Sequence, residues 1–159
     1  MGRTIMTTMT TLRMRWMLLT DWQQLRAYEE VLPSWMRIDE QAFLEMLRRR
    51  QVIGSVVVDE SQKILAYTLY ELKKHYFELL VLRFDPWGVQ GQTHQFIMKK
   101  LKSKLRYGKR LSLRMWVDER DLELQILLRE HQFRATQVSR GRFGDYDGYR
   151  MVFRVENGE

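Results

Sequence analysis

Residues 78–105 of the chain read ELLVLRFDPWGVQGQTHQFIMKKLKSKL, and this stretch decides the fold class. The apolar run at residues 79–84 predicts a buried strand, and Asp85-Pro86 with two glycines predicts a turn. A helix is then predicted, because four apolar residues share one helical face: Phe96, Ile97, Leu101 and Leu105. Such a helix start leaves backbone N–H groups unpaired where the macrodipole favours negative charge. The stretch can therefore hold a phosphate, or it can pack without a ligand.

The composition predicts one folded domain. The chain has 159 residues, of which 45% are hydrophobic, enough to bury a core. We expect residues 12–159 to form this single domain. Residues 1–11 show neither helical nor strand periodicity, so we expect a flexible N-terminal extension there.

Several classes of protein are excluded by what the sequence lacks. There is no cysteine, which excludes disulfides and thiolate metal sites. His75, His94 and His131 lie far apart, so no metal site is expected. No apolar run approaches the roughly 20 residues that cross a bilayer, and no secretion signal is recognisable. We therefore expect a cytoplasmic protein that does not enter a membrane.

The formal net charge of +7 is concentrated in one part of the chain. Residues 99–114 contain basic residues and no acidic one: Lys99, Lys100, Lys102, Lys104, Arg106, Lys109, Arg110 and Arg114. Such a block can attract a phosphorylated cofactor, RNA or an acidic protein surface. The alternative interpretation is a solvated helix face.

The remaining patterns complete a mixed α/β fold. Strands are predicted at residues 12–19, 52–58, 64–72 and 111–117, with Asp21, Asp39 and Asp121 as N-caps of three further helices. Residues 133–138 and 149–155 predict a closing hairpin around a glycine-rich loop. The order β-α-α-β-β-β-α-β-α-β-β indicates a mixed sheet with helices on its faces.

Three segments of this order match the motifs of a known family. They are residues 82–86 with 89–94, residues 117–121 leading to Leu127-Leu128 and Gln132-Phe133, and residues 146–151. On these segments the chain resembles the GCN5-related N-acetyltransferases (GNAT), and among them the RimI-like enzymes that acetylate ribosomal-protein N-termini. The resemblance runs from Met14 to Val155.

The resemblance implies an acyl-CoA site. In the family, acyl-CoA lies in a V-shaped opening between the fourth and fifth strands, and its pyrophosphate takes N–H groups from the following loop. The positions implied here are the backbone of Leu82, Arg83 and Phe84, the loop Val89, Gln90, Gly91, Gln92, Thr93 and His94, and Asp121 in place of the family's asparagine.

The resemblance also implies candidate catalytic residues. The RimI-like base and acid fall on Trp116 and Leu128, which cannot do that chemistry. The histone-acetylating branch has its glutamate base early in the fourth strand, where this chain has Glu78. A half-buried carboxylate there would have a raised pKa and could accept the proton of an ammonium group. For the acid the candidates are Tyr146, which we select, Tyr149 and His131.

The function implied is an acetyl-CoA-dependent N-acetyltransferase. Its acceptor would be a primary amine of a protein N-terminus, a lysine or a small molecule, attacking directly in a ternary complex. The alternative is a catalytically silent GNAT fold whose basic surface binds a partner such as RNA or a ribosomal component, because the family glycines fall on Gln92 and His94. A third interpretation is a general nucleic-acid binder that stacks bases on Tyr107 and Trp116.

Overall fold

A computed structural model describes residues 11–88 and 91–156, and the structural statements below concern those residues. The predicted N-terminal extension lies outside them except for Thr11. Val89 and Gln90 of the predicted phosphate loop also lie outside them.

The observed elements follow the predicted order. They are β1 (Arg13–Trp16), α1 (Trp22–Glu30), α2 (Glu40–Arg48), β2 (Val52–Val58), β3 (Ile64–Leu72), β4 (Tyr76–Phe84), α3 (Gly91–Tyr107), β5 (Ser112–Asp118), α4 (Leu122–Glu130), β6 (Arg134–Phe143) and β7 (Tyr146–Arg154). The strands β2 and β3 have the predicted limits, because their apolar runs end at polar turns. Among the described residues, no helix has both the length and the apolar character needed to cross a membrane.

One mixed sheet contains all seven described strands, in the order β1-β2-β3-β4-β5-β7-β6. The first four strands pair antiparallel in sequence. β5 lies parallel to β4, with α3 as the crossover, and the hairpin of β6 and β7 adds antiparallel to β5. This topology confirms the predicted α/β mixed-sheet class.

The helices cover the two faces of the sheet unequally. α3 and α4 pack on one face, in a cluster that also contains Phe77, Leu113 and Met151 from β4, β5 and β7. α1 and α2 pack on the other face, in a cluster that takes residues from β2, β3 and β4 and none from β5, β6 or β7. The second face of β5, β7 and β6 therefore stays outside both helix-covered clusters.

Two of the three predicted N-caps are confirmed. Asp39 accepts a hydrogen bond from the N–H of Ala42 at 2.8 Å, and Asp121 accepts one from Leu124 at 3.2 Å. Asp21 occupies the predicted N-cap position of α1, but its side chain makes no capping hydrogen bond, so its predicted capping role is wrong. Its carboxylate instead accepts the N–H of Leu18 at 2.7 Å and pairs with Arg15, because Asp21 belongs to a short 3₁₀ turn before the helix.

The closing hairpin is longer than predicted. β6 continues to Phe143 and β7 begins at Tyr146, so the predicted loop is mostly strand. Gly141 has φ +66° within a shift of register, and Gly144 has φ +74° in the tight turn. A glycine with positive φ can form a bulge inside a strand as well as a loop, and the sequence does not distinguish the two.

Candidate active site

β4 and β5 diverge towards their C-terminal ends. They pair only through residues 76–79 and 112–115, and no ladder pair joins residues 80–84 to β5. The register of β4 against β3 skips Leu80, because Tyr70 pairs with Leu79 and Leu69 pairs with Val81. Such a bulge bends a strand and increases its local twist. The result is a V-shaped gap between two neighbouring strands.

One wall of this gap is the end of β4. Leu82, Arg83 and Phe84 pair with β3 on one edge, and on the edge facing β5 they have no strand partner among the described residues. An extended edge of this kind can pair with an extended ligand through its backbone. Leu82, Arg83 and Phe84 therefore lie along the gap, and their binding of acyl-CoA stays a prediction.

The first turn of α3 follows the wide end of the gap. It contains Gly91, Gln92, Thr93 and His94. A Cβ added at Gly91 would meet no atom within 4 Å, so the approach to the helix start is open at this residue. The ring of His94 packs edge-on against Phe84, with centroids 4.1 Å apart, and burial lowers the pKa of this histidine.

The ring of Trp116 contacts side chains of the hairpin formed by β6 and β7. Two guanidinium groups lie over its indole ring, that of Arg142 at 3.9 Å and that of Arg150 at 5.0 Å from the ring centroid. These arginines belong to β6 and β7, on the side of β5 opposite to β4. The indole therefore packs against arginine side chains of the two hairpin strands.

Glu78 lies one residue before the last pair of β4 with β5. Its Oε1 accepts a hydrogen bond from Arg150 Nη1 at 3.0 Å. Its Oε2 lies 3.0 Å from Nη2, without the alignment of a hydrogen bond, and is buried with no hydrogen-bond partner. Burial raises the pKa of this carboxyl, and the positive charge of Arg150 opposes that rise. A carboxylate with a raised pKa and an unsatisfied oxygen has the properties of a general base.

Asp121 lies across the gap from Arg83. It follows β5 and is half-buried at the start of α4. Burial raises the pKa of Asp121, whereas the charge of Arg83 lowers it. Asp121 on one wall therefore lies within electrostatic range of Arg83 on the other.

A buried network that the sequence analysis missed ties the loop between α1 and α2 to β4. Glu29, only 3% exposed, accepts hydrogen bonds from Tyr67 Oη at 2.6 Å, Arg83 Nε at 3.1 Å and the N–H of Ile38 at 3.0 Å. Arg83 Nη2 also donates to the carbonyl of Met36 at 2.6 Å. No local pattern could reveal these partners, which lie up to 54 residues apart.

Beside the gap, three side chains form a stack. The guanidinium of Arg120 lies 3.9 Å from the ring centroid of Trp35 and 3.6 Å from that of Tyr146. Asp118 holds Arg120 through hydrogen bonds of 3.0 and 2.7 Å, and these lower the pKa of the aspartate. The stack joins the loop between α1 and α2 to the ends of β5 and β7.

Comparison with known proteins identifies the fold. No protein-family model and no curated protein matches the sequence. Solved structures do match, among them Ard1 from Thermoplasma volcanium, with a TM-score of 0.79, 14% identity, and coverage of 92% of this chain and 99% of that one. The chain has the GNAT fold.

Two further structures with the GNAT fold are named as N-acetyltransferases. The ribosomal-protein-S18-alanine N-acetyltransferase from Escherichia coli matches with a TM-score of 0.73 and 13% identity, covering 94% of this chain and 97% of that one. A chimera of the spermidine N-acetyltransferase SpeG from Vibrio cholerae and hSSAT matches with a TM-score of 0.74 and 16% identity. The match covers 90% of this chain and 95% of that one.

Within this GNAT fold the three candidate acids lie in different places. Tyr146 belongs to the stack beside the gap and is 39% exposed. Tyr149 packs against the cluster of α3 and α4, on the other face of the sheet. His131 follows the far end of α4, where its carbonyl accepts a hydrogen bond from Lys102 Nζ at 2.9 Å. Of the three, Tyr146 alone belongs to the stack at the ends of β5 and β7.

A large groove, about 1560 Å³ in volume, lies away from the gap. It runs between α4 and the hairpin strands and is lined by residues such as Ile126, Phe133 and Met151. Of the candidate residues named above, only Tyr149, which we did not select as the acid, lines this groove within the described part of the chain. The candidate site of the GNAT fold is thus an open slit defined by unpaired backbone. The described residues contain no group of three or more Asp, Glu and His side chains that could hold a metal ion.

Proposed function

We propose that this protein is an acetyl-CoA-dependent N-acetyltransferase that acts on a primary amine of a protein N-terminus, a lysine or a small molecule. The observation that carries the proposal is the divergence of β4 and β5 beyond Leu79, which leaves the backbone of residues 82–84 without a strand partner. The related structures add support, because two of them are named for acetylation of a protein N-terminus and of spermidine.

The residues present suit an acyl-CoA donor. The backbone of Leu82, Arg83 and Phe84 would pair with its extended arm, and the loop residues Val89 to His94 would bind its pyrophosphate through N–H groups. Asp121 would border the gap from the other wall. When bound, the donor supplies an activated acyl group and a thiolate leaving group.

The catalytic part of the proposal rests on Glu78. Its unsatisfied Oε2 would take the proton of the acceptor ammonium, directly or through one water, and the pair with Arg150 would hold the carboxylate in place. Tyr146 would return a proton to the thiolate. The largest part of the rate gain would come from holding the two reactants together, which does not depend on either side chain.

One observation favours the second candidate, a silent GNAT fold. Leu128 occupies the family's tyrosine position and is fully buried in the core cluster, so this position offers no proton donor. Gln92 and His94 stand where the family has glycines. The two candidates differ in one property: whether the protein binds acetyl-CoA.

The decisive experiment is a thermal shift with acetyl-CoA and with free CoA. A ligand that binds only the folded state must raise the melting temperature, and at about 100 times its Kd it adds about 2.7 kcal/mol. We expect a clear rise for the wild type at millimolar ligand. No rise would favour the silent scaffold.

Gly91 offers a matched pair of control variants. Its Cβ position is open, so Gly91→Gln and Gly91→Glu should both fold. A glutamate at a helix start stabilises the helix but repels a pyrophosphate. We expect Gly91→Gln to keep the acetyl-CoA shift and Gly91→Glu to lose most of it. Equal shifts in both variants would place the pyrophosphate away from the start of α3.

A further inference from the structure

On the second face of the sheet, a row of arginines and aromatic rings runs from the start of β4 across β5 and β7 to β6. The row, here called the arginine row, consists of Arg142, Trp116, Arg150, Tyr76 and Arg114. Arg142 and Arg150 lie 3.9 and 5.0 Å from the Trp116 centroid, and Arg150 and Arg114 lie 5.7 and 4.0 Å from that of Tyr76. Guanidinium groups held on aromatic rings keep their N–H edges available for carboxylates.

The charges of the row are not balanced. Arg150 is paired with Glu78, at the base of the gap. Arg114 and Arg142, at the two ends of the row, form no ion pair within the described part of the chain. Arg114 Nε donates a hydrogen bond to Ser112 Oγ at 3.1 Å, which leaves its charge without a carboxylate partner. An anionic partner would therefore find two guanidinium groups without an ion pair in the row that also holds the partner of the candidate base.

Gly148 leaves room for the side chain of Arg142 to lie along the sheet. A Cβ at Gly148 would come within 3.0 Å of Arg142 Cδ and 2.9 Å of Phe143 Cε2. Gly148 is buried directly beneath the arginine, on the neighbouring strand. The glycine thus allows the side chain of Arg142 to cross β7 and reach Trp116.

We propose that the acceptor is the N-terminus of an acidic peptide that lies along the arginine row, with its carboxylates on Arg114 and Arg142 and its amine beside Glu78. This inference rests on the proposed function and deepens it. An acidic peptide carries several carboxylates and one terminal amine, so a single molecule can contact the arginines and Glu78 together. A polycation such as spermidine would meet repulsion at the same place.

The row is less suited to nucleic acid. Binding of single-stranded nucleic acid combines phosphate contacts with stacking of bases on exposed aromatic faces. Here guanidinium groups already lie over Trp116 and over Tyr76. A peptide needs only the outward N–H edges of the arginines.

Binding of a fluorescent peptide tests the surface. The probe has a free N-terminus followed by Asp and Glu residues, and its competitors are the Asn/Gln version, a lysine-rich version, spermidine and single-stranded RNA. We expect the acidic peptide to bind tightest, with affinity falling as salt rises. Arg142→Glu should weaken it about tenfold or more. Arg129 is an exposed residue of α4, on the opposite face of the sheet. Arg129→Glu makes the same charge change and should leave peptide binding unchanged.

Transfer from acetyl-CoA to the same probes separates the two proposals. If spermidine or the lysine-rich peptide is acetylated in preference to the acidic one, the inferred acceptor is wrong and the transferase stands. If acetyl-CoA does not bind while Arg142→Glu still abolishes acidic-peptide binding, the proposed transferase activity is wrong. The proposed binding surface for acidic peptides is then still supported. Tighter binding of RNA, or equal loss in Arg129→Glu, overturns the inferred surface. Circular dichroism of each variant confirms that it is folded.

Discussion

Two glutamates on neighbouring elements of this protein have opposite environments. Glu29, under the loop between α1 and α2, accepts three hydrogen bonds and is almost wholly buried. Glu78, at the base of the gap, accepts one hydrogen bond and keeps one buried oxygen unsatisfied. Both are paired with an arginine.

The difference separates a structural carboxylate from one suited to chemistry. A carboxylate whose oxygens are all occupied stabilises the fold and has no free site for a proton. A carboxylate with an unsatisfied buried oxygen costs stability, and such groups are more frequent at functional sites. An ion pair with arginine does not by itself tell the two apart.

The largest expected effect is that of Glu29→Gln on the stability of the fold. Glu29→Gln would leave Arg83 without its partner charge and disturb three hydrogen bonds, so we expect a loss of about 2 to 4 kcal/mol in the free energy of unfolding. Urea denaturation measures it. Turnover per folded molecule should change little. A variant with full stability and no turnover would make Glu29 the functional carboxylate.

On the chemical side, Glu78→Gln should lower acetyl transfer tenfold or more, which is about 1.4 kcal/mol on the barrier. The amide oxygen can still accept a hydrogen bond from Arg150, so we expect a stability loss of only about 1 kcal/mol. Steady-state kinetics with saturating acetyl-CoA measures the change. Glu71→Gln, directly opposite on β3, is the matched control and should leave turnover unchanged. Normal turnover in Glu78→Gln would exclude Glu78 as the base.

The pH profile sharpens the same contrast. Because burial raises the pKa of Glu78, transfer should be lost as the pH falls through a value above the usual range of a glutamate, and Glu78→Gln should lack this limb. The contribution of Glu78 to stability depends on pH in the opposite direction from transfer. The folded state binds the proton of Glu78 more tightly than the unfolded state does. The contribution is therefore present at low pH and is lost as the pH rises through the pKa of the folded state. Hydrogen bonds from arginine lower the pKa values of Asp21 and Asp118. The contributions of these two residues to the stability of the fold are therefore lost as the pH falls. An acid limb in Glu78→Gln would assign the titration to another group.

The smallest expected effect belongs to Tyr146. Tyr146→Phe keeps a ring on Arg120 and removes the hydroxyl, so we expect turnover to fall only about fivefold, since water can also supply the proton. Tyr149→Phe, on the helix-covered face, should have no effect. Equal effects of the two variants would remove Tyr146 from the proposed mechanism.

The order of elements was predictable from local patterns. The runs at residues 52–58 and 64–72 end where β2 and β3 end, because polar turns bound both. The hairpin limits were wrong, because a glycine in a bulge and a glycine in a loop have the same sequence signature. Asp21 was misread as a cap because its actual partner, Arg15, lies on the preceding strand.

The site was predictable only in part. The resemblance predicts Leu82, Arg83 and Phe84 as backbone contacts of the cofactor; the structure shows that their edge towards β5 has no ladder pair, and the contact itself stays a prediction. Arg150, which holds Glu78 from 72 residues away, has no local signal, and neither has the network of Glu29. The arginine row was equally hidden, because its members come from four strands.

The sequence by itself determined the number, type and order of the elements, since periodicity and turn chemistry act over a few residues. Tertiary structure alone decided where β4 leaves β5, which buried carboxylate oxygen lacks a hydrogen bond, and which arginines of the row lack an ion pair. These features arise when strands distant in sequence become neighbours, and their energies belong to pairs of residues that local patterns do not connect.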